Sequence, residues 1–284
     1  MSHDTRSGQV SSKKYNNVNH MSNCTSDFRN KDVFSLNVEY SDAKSVDDMC
    51  ISCDMSDVPD EVYVSNLSKR AIVNALEDKH MFDKLDRKSK TFVLLMNHVM
   101  ENEVTLRGTE ESRTDAFVSH ILEKLEFGEY PLMIQPQPLF KFRVYTKEIS
   151  SKLDFAVIKD KRTMLIDEDK HIKNTGPASA WGEYQLAGEL IASAYCNYSI
   201  STRDYNSILY GVRVIGLKFT FYKAVISPEY LISLGEGFPD LTVPIIRYPV
   251  NTKDKDFPYL DYADENDRKI IVNMLIRMRE SIKS

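Results

Sequence analysis

The sequence predicts an α/β fold in which helices sandwich a central mixed sheet. Three observations predict it. Segments rich in β-branched and aromatic residues alternate with stretches of helical period. From residue 110 onward the order is helix, three strands, helix, two strands and a closing helix. The 284 residues are 42% hydrophobic and 28% charged, which supports a sizeable buried core in a soluble chain.

Residues 1 to about 60 are rich in Ser, Asn and Asp, with sparse apolar residues and no period. Such a segment buries too little surface to offset its ordering entropy, so a disordered N-terminal arm is expected over 1–60. A helical accessory region is expected over 61–104. Residues 66–78 place Leu67, Ala71, Ile72, Ala75 and Leu76 on one stripe, and residues 84–101 carry a dense apolar patch at Phe92–Met96. That patch either packs on the core or holds a protein partner, and packing is favoured.

A third helix is expected from about Glu110 to Glu126, with Thr109 as N-cap. Glu111 lies on the stripe of Val118, Leu122 and Leu125, so a carboxylate heads an apolar face. Strands follow over 138–148, 152–160 and 162–170, the last two joined at a turn at Asp160-Lys161. A helix then opens at Pro177, a favoured first helical position, and runs to about Tyr195. Strands near 207–215 and 217–226 turn at Gly216, and an amphipathic helix closes the chain from about Asp264 to Ile282.

Composition limits the function classes. The net charge of −5 argues against a broadly basic nucleic-acid binder. Residues 1–60 hold 6 Lys/Arg and 10 Asp/Glu, leaving 31 and 32 for the remainder, so the folded part is near neutral. Four cysteines do not make a disulfide scaffold, and the CxxC of Cys50 and Cys53 has only Cys24 and His20 as further zinc ligands, at no familiar spacing. There is no apolar run of transmembrane length, and MSHDTRSGQV lacks the apolar core of a signal peptide, so an intracellular protein (cytoplasm or nucleus) without a membrane partner is expected.

The residues that carry chemistry are Asp154 and the run Glu168-Asp169-Lys170. Glu168 and Lys170 are two apart and leave the same face of a strand. If strands 152–160 and 162–170 pair about Asp160-Lys161, residue 154 lies opposite 167 or 168. Two neighbouring carboxylates repel unless a cation lies between them. Oxygen donors suit Mg²⁺ or Mn²⁺, and a lysine beside such an ion can orient the attacking water or stabilise charge developing on phosphorus. Asp167 and Asp169 flank the centre, so the ligand can shift by one position; strand alternation, with Met164 and Ile166 preceding on the same face, favours Glu168. On the following helix Gln185 is a buried-face amide that needs a partner, with Trp181 and Glu189 four residues to either side. Lys141 and Arg143 share a strand face that can meet a phosphate backbone, and His171 follows Lys170 directly.

The segments ESRTDAFVSHIL, SKLDFAV, MLIDEDK, WGEYQLAGELIASAY and YGVRVIGLKFTFYKA, in that order, resemble the PD-(D/E)xK phosphodiesterase superfamily. Within it they are similar to the nuclease-like modules of fungal and oomycete crinkler-type proteins. The likeness covers roughly residues 105–230 and implies a restriction-endonuclease-like nuclease domain over 105–284. It implies that Asp154, Glu168 and the backbone carbonyl of Asp169 bind the metal, with Glu111 completing or supporting the shell. It implies that Lys170 acts on the nucleophilic water and that Gln185 positions the lysine, the water or the substrate. Leu153 stands where the name-giving proline often is, and no crinkler-type targeting motif is present. The expected function is metal-dependent cleavage of nucleic acid, DNA favoured over RNA. The alternative is a nuclease-derived binding module without turnover, acting on a nucleic acid or protein partner.

Overall fold

A computed structural model describes residues 14–54, 58–64, 67–74, 79–104, 110–170, 176–203, 205, 207–252 and 255–284. For residues 79, 81, 104 and 166–170 it describes the backbone alone. The chain opens with α1 (Asn30–Ser35), β1 (Val38–Asp42), α2 (Val46–Met49), α3 (Asp60–Tyr63), α4 (Lys69–Asn74), α5 (Lys79–Asp83) and α6 (Arg87–Val104). Next come α7 (Ser112–Lys124) and the strands β2 (Leu132–Pro136), β3 (Leu139–Val144), β4 (Lys147–Lys152), β5 (Phe155–Lys159) and β6 (Arg162–Lys170). The long helix α8 (Glu183–Ile200) precedes β7 (Ile208–Ile215), β8 (Lys218–Val225), α9 (Pro228–Ser233), β9 (Val243–Tyr248), β10 (Leu260–Asp261) and α10 (Glu265–Lys283).

The expected α/β sandwich is present. An eight-stranded mixed sheet runs β1-β9-β8-β7-β6-β5-β2, with β10 added beside β8. The pairs β1–β9 and β6–β7 are parallel and the others antiparallel. Because successive strand residues point to opposite faces, the sheet feeds two cores. One face carries Val157, Leu165, Val212 and Phe221 and packs with Phe92 and Met96 of α6, Phe117 of α7 and Met274 of α10. The other carries Ala156, Leu209, Tyr222 and Ala224 and packs under Leu186, Leu190 and Ile191 of α8. The hairpin β3–β4 forms a separate two-stranded sheet on that second side.

The strand expectations hold where β-formers run unbroken. Asp160 and Lys161 both take positive φ (50° and 67°), the geometry of a tight hairpin turn, between β5 and β6. Gly216 turns β7 into β8 at φ 62°. The single strand expected over 138–148 is instead the hairpin β3–β4, broken at Tyr145-Thr146, with Tyr145 at φ 53°. Strands β2 and β9 and helix α9 have no counterpart in the sequence reading. Thr109 lies outside the described residues, and Glu111 is the N-cap of α7.

The N-terminal expectation needs correction. Residues 14–54 are built into the fold, while 1–13 lie outside the described residues. β1 is the edge strand, in parallel register Val38↔Val243 through Asp42↔Arg247. Met21, Phe28, Val33 and Leu36 are buried in the α8-side core, and Ala43, Met49 and Cys50 in the other. The apolar residues are few, but almost every one is inserted, and the backbone of β1 gains a full ladder partner. Average composition hides both effects. In region 61–104, Phe92, Val93 and Met96 of the apolar patch are fully buried in the core, while Leu94 is exposed.

Candidate functional site

The register of β5 and β6 sets the centre of the candidate site. Phe155 pairs with Asp167 and Ala156 with Ile166. The paired register stops at Phe155; extended by one step it would set the Asp154 position, immediately before β5, beside that of Glu168. On its other side β6 runs parallel to β7, with Glu168 beside Arg213 and Lys170 beside Ile215. Leu165 and Val212 face α6, α7 and α10, so the backbone positions of Glu168 and Lys170 fall on the opposite face, under α8. Asp167 and Asp169 occupy positions on the other face. Both faces of β6 lead into a core, so the alternation does not by itself choose between Glu168 and Asp167. A bulge between Val157 and Ile158 shifts the register, and Met164 packs in the same core cluster as Leu165.

Arg213, which the sequence reading passed over, is 1% exposed on the α8 side. Its Nη1 donates to the Ala180 carbonyl at 3.2 Å and its Nη2 to Thr220 Oγ1 at 3.1 Å. The guanidinium stands 5.2 Å from the Phe257 ring centre and 5.6 Å from that of Tyr222. It is a caged cation one strand away from the Glu168 position.

Helix α8 is delivered by a tight lead-in. Residues Pro177–Gly182 form a 3-10 segment whose last three residues, Ala180, Trp181 and Gly182, all take positive φ. The Trp181 ring packs 4.9 Å from that of Phe257. The first residue of α8, Glu183, is 7% exposed and ionically paired. Arg247 Nη1 donates to its Oε1 at 2.9 Å, Tyr222 Oη donates to the same oxygen at 3.0 Å, and Tyr40 Oη donates to its backbone carbonyl at 2.9 Å. Burial, with Glu183 adding to it, pushes both phenols well above the usual tyrosine range, so they stay donors.

One turn along the helix, Gln185 Nε2 donates to Glu189 Oε1 at 2.8 Å, both side chains being buried. Gln185 also lines a cavity of about 430 Å³ together with Glu111, Arg29 and the backbone from Gly176 to Ser179. The cavity thus brings together two residues that the sequence reading had placed on separate helices. Arg29 and Ser26 come from the N-terminal segment and had not been anticipated. The signal for them was Gly188, a glycine in the middle of an otherwise good helix. A Cβ there would stand 2.6 Å from Thr25 Cγ2 and 2.7 Å from Phe28 Cε2, so α8 and the N-terminal segment touch at this point.

Other expected residues stand elsewhere. Lys141 and Arg143 lie on the exposed hairpin, where Lys141 Nζ meets Glu148 Oε1 at 2.7 Å and Arg143 Nη2 meets Glu148 Oε2 at 3.5 Å. Neither lines the cavity. The Lys141 carbonyl accepts from Cys196 Sγ. That cysteine is eleven residues, or about 16 Å, along α8 from Gln185. His171 lies outside the described residues, as do the side chains of Asp167, Glu168, Asp169 and Lys170. Among the described residues no group of three or more His, Cys, Asp and Glu is placed to hold a metal ion, and Cys24 and Cys50 are thiols without a disulfide. No described helix is long and apolar enough to cross a membrane.

Comparison of the chain with protein-family models and with curated proteins gives no match.

Proposed function

We propose that this chain is a divalent-metal-dependent nuclease of the PD-(D/E)xK type that hydrolyses phosphodiester bonds, in DNA in preference to RNA. The observation that carries the reading is the β5–β6 register, Phe155↔Asp167 and Ala156↔Ile166, which extended by one residue sets the Asp154 and Glu168 positions side by side, with Lys170 two residues on along β6. Asp154, Glu168 and Glu111 would offer oxygen donors of the kind a hard cation takes, and Glu111 shares its cavity with Gln185. Asp154, Glu168, the Asp169 carbonyl and Glu111 would hold Mg²⁺ or Mn²⁺, which would supply positive charge against the developing phosphorane and favour ionised water.

The chain's own residues do the rest. Lys170 holds the attacking water and stabilises negative charge as the phosphorus centre becomes five-coordinate. Gln185, fixed by Glu189, positions the lysine, the water or the substrate from the facing helix.

The test is incubation of the purified chain with single- and double-stranded DNA and RNA, in Mn²⁺ and in EDTA, beside Asp154→Ala and Lys170→Ala. Cleavage that needs the metal and falls by at least about a hundredfold in both variants is expected. The absence of cleavage on every substrate, or cleavage that survives in both variants, overturns the proposal and shifts weight to a binding module without turnover.

A further inference from the structure

The cavity lined by Gln185 and Glu111 has a further wall, supplied by Ser26, Phe28 and Arg29 of the N-terminal segment. These three residues lie in segment 22–32, which is held by specific bonds. Asp32 is fully buried; its Oδ1 accepts from Ser22 N at 3.0 Å and its Oδ2 from Arg29 N at 2.9 Å. Thr25 Oγ1 donates to Ser151 Oγ at 3.1 Å, and Ser150 N donates to Asn23 O at 3.0 Å, which ties the segment to β4. Phe28 is 1% exposed against α8 at Gly188, the next helical turn after Gln185. The segment is therefore fixed with respect to Gln185.

Arg29 projects from this fixed segment. Its side chain makes one described hydrogen bond, Nη1 to the Phe28 carbonyl at 3.2 Å, and it has no carboxylate partner among the described residues. It is exposed, yet it lines the same cavity as Glu111 and Gln185, and it is the one cationic side chain among the described lining residues. A guanidinium presents several donors in a planar fork that matches phosphate oxygens. The chain as a whole is acidic, with a formal charge of −5, so a polyanion needs a local cation to enter here.

We infer that Ser26, Phe28 and Arg29 wall the substrate cavity and that Arg29 contacts a phosphate of the nucleic-acid backbone. The inference rests on the nuclease reading for its substrate class. Arg29 is a substrate-positioning residue; the chemistry belongs to Asp154, Glu168 and Lys170.

The experiment uses the full chain and a fluorescein-labelled DNA duplex, with binding followed by anisotropy in EDTA across a salt series. Arg29→Ala is expected to weaken binding by about tenfold. It is also expected to reduce the slope of log affinity on log salt by about one phosphate contact. Arg29→Lys recovers most of the slope because the charge is kept. Arg203→Ala, which removes an exposed arginine beyond the far end of α8, leaves both unchanged. Thermal unfolding of Arg29→Ala matches the wild type, since the backbone amide held by Asp32 is retained. Wild-type binding and slope in Arg29→Ala overturn the inference, as does an equal loss in Arg203→Ala or no duplex binding by the wild type. The nuclease reading is judged separately by Asp154→Ala: if that variant stops cleaving while Arg29→Ala binds normally, only the role of Arg29 falls.

Discussion

Gln185 and Glu189 face each other one turn apart on α8, Nε2 to Oε1 at 2.8 Å, in the buried stretch from Gln185 to Ala194. The pair sits on the side of the sheet to which the Glu168 and Lys170 positions belong. Replacing Gln185 by Ala removes one donor. Replacing it by Glu sets a second carboxyl against Glu189 in the same buried space. Urea midpoints are expected to fall in the order wild type, Ala, Glu, with Gln185→Ala costing about 1–3 kcal/mol. Metal-dependent cleavage by Gln185→Ala is expected to slow by about tenfold to a hundredfold, the usual effect of removing an orienting partner. A wild-type midpoint for Gln185→Glu would show that the two side chains do not meet.

Gly188 is where the N-terminal segment docks. An added methyl at this position meets Thr25 Cγ2 at 2.6 Å and the Phe28 ring at 2.7 Å. Both neighbours are buried and held by other contacts, so neither can yield cheaply. Gly188→Ala is expected to destabilise the fold by about 1–3 kcal/mol, although alanine favours a helix over glycine. Denaturant unfolding measures it. A stabilised variant would mean that the segment is not seated on α8.

The two kinds of feature differ in how far the sequence showed them. β5, β6, β7 and β8 were legible because runs such as FAVIK and ILYGVRVI have strand composition and end at tight turns. The short turn alone sets residue 154 opposite 167; the bulge between Val157 and Ile158 moves the ladder on by one residue, and no local sequence signal announces it. β1 and the wall that carries Arg29 were not legible, because their order depends on contacts more than a hundred residues away, with Ser150, Ser151 and Arg247. Local composition carries no record of such partners. Arg213 was missed for a related reason: within a strand, one charged residue reads as solvent-facing, and only the cage of Tyr222, Phe257, Thr220 and Ala180 shows that it is interior.

Glu103, at the end of α6, lies against the β7–β8 turn, where a Cβ on Gly216 would collide with its Oε1. Burial raises its carboxyl above the usual range; Lys218 and Lys69 oppose the shift and Asp261 adds to it. The folded state therefore keeps a proton that the unfolded state has lost, over the window from the ordinary glutamate value up to the raised one. Stability falls as pH rises through that window and is flat above it. Glu103→Gln abolishes this slope. Relative to the wild type it is expected to gain stability as pH rises from about 4 to about 8, with the gain absent at the acid end. Paired urea titrations across that range measure it. A variant that loses stability near pH 8 would show that the ion pairing with Lys218 outweighs burial.

The last relationship joins the N-terminal strand to the helix of the candidate site. Arg247 on β9 reaches Asp42 on β1 (Nη2 to Oδ1, 2.7 Å) and Glu183 at the start of α8 (Nη1 to Oε1, 2.9 Å). Burial works against the guanidinium charge, but Glu183 and Asp42 outweigh it and hold its pKa above the usual arginine value. The pair is thus ionised on the arginine side at every practical pH. Arg247→Ala leaves Glu183 buried with only Tyr222 to its carboxylate among the described contacts, and removing one partner of a buried pair costs about 3–5 kcal/mol. The double variant Arg247→Met, Glu183→Gln removes both charges and is expected to recover part of that loss, which a double-mutant cycle resolves. Because Asp42 and Glu183 share the same cation, the single variant should also loosen β1 and the start of α8 together, read as faster amide exchange in both elements. Loss of protection in β1 alone would mean that Glu183 is held by Tyr222, and that α8 keeps Gln185 in place without help from the N-terminal strand.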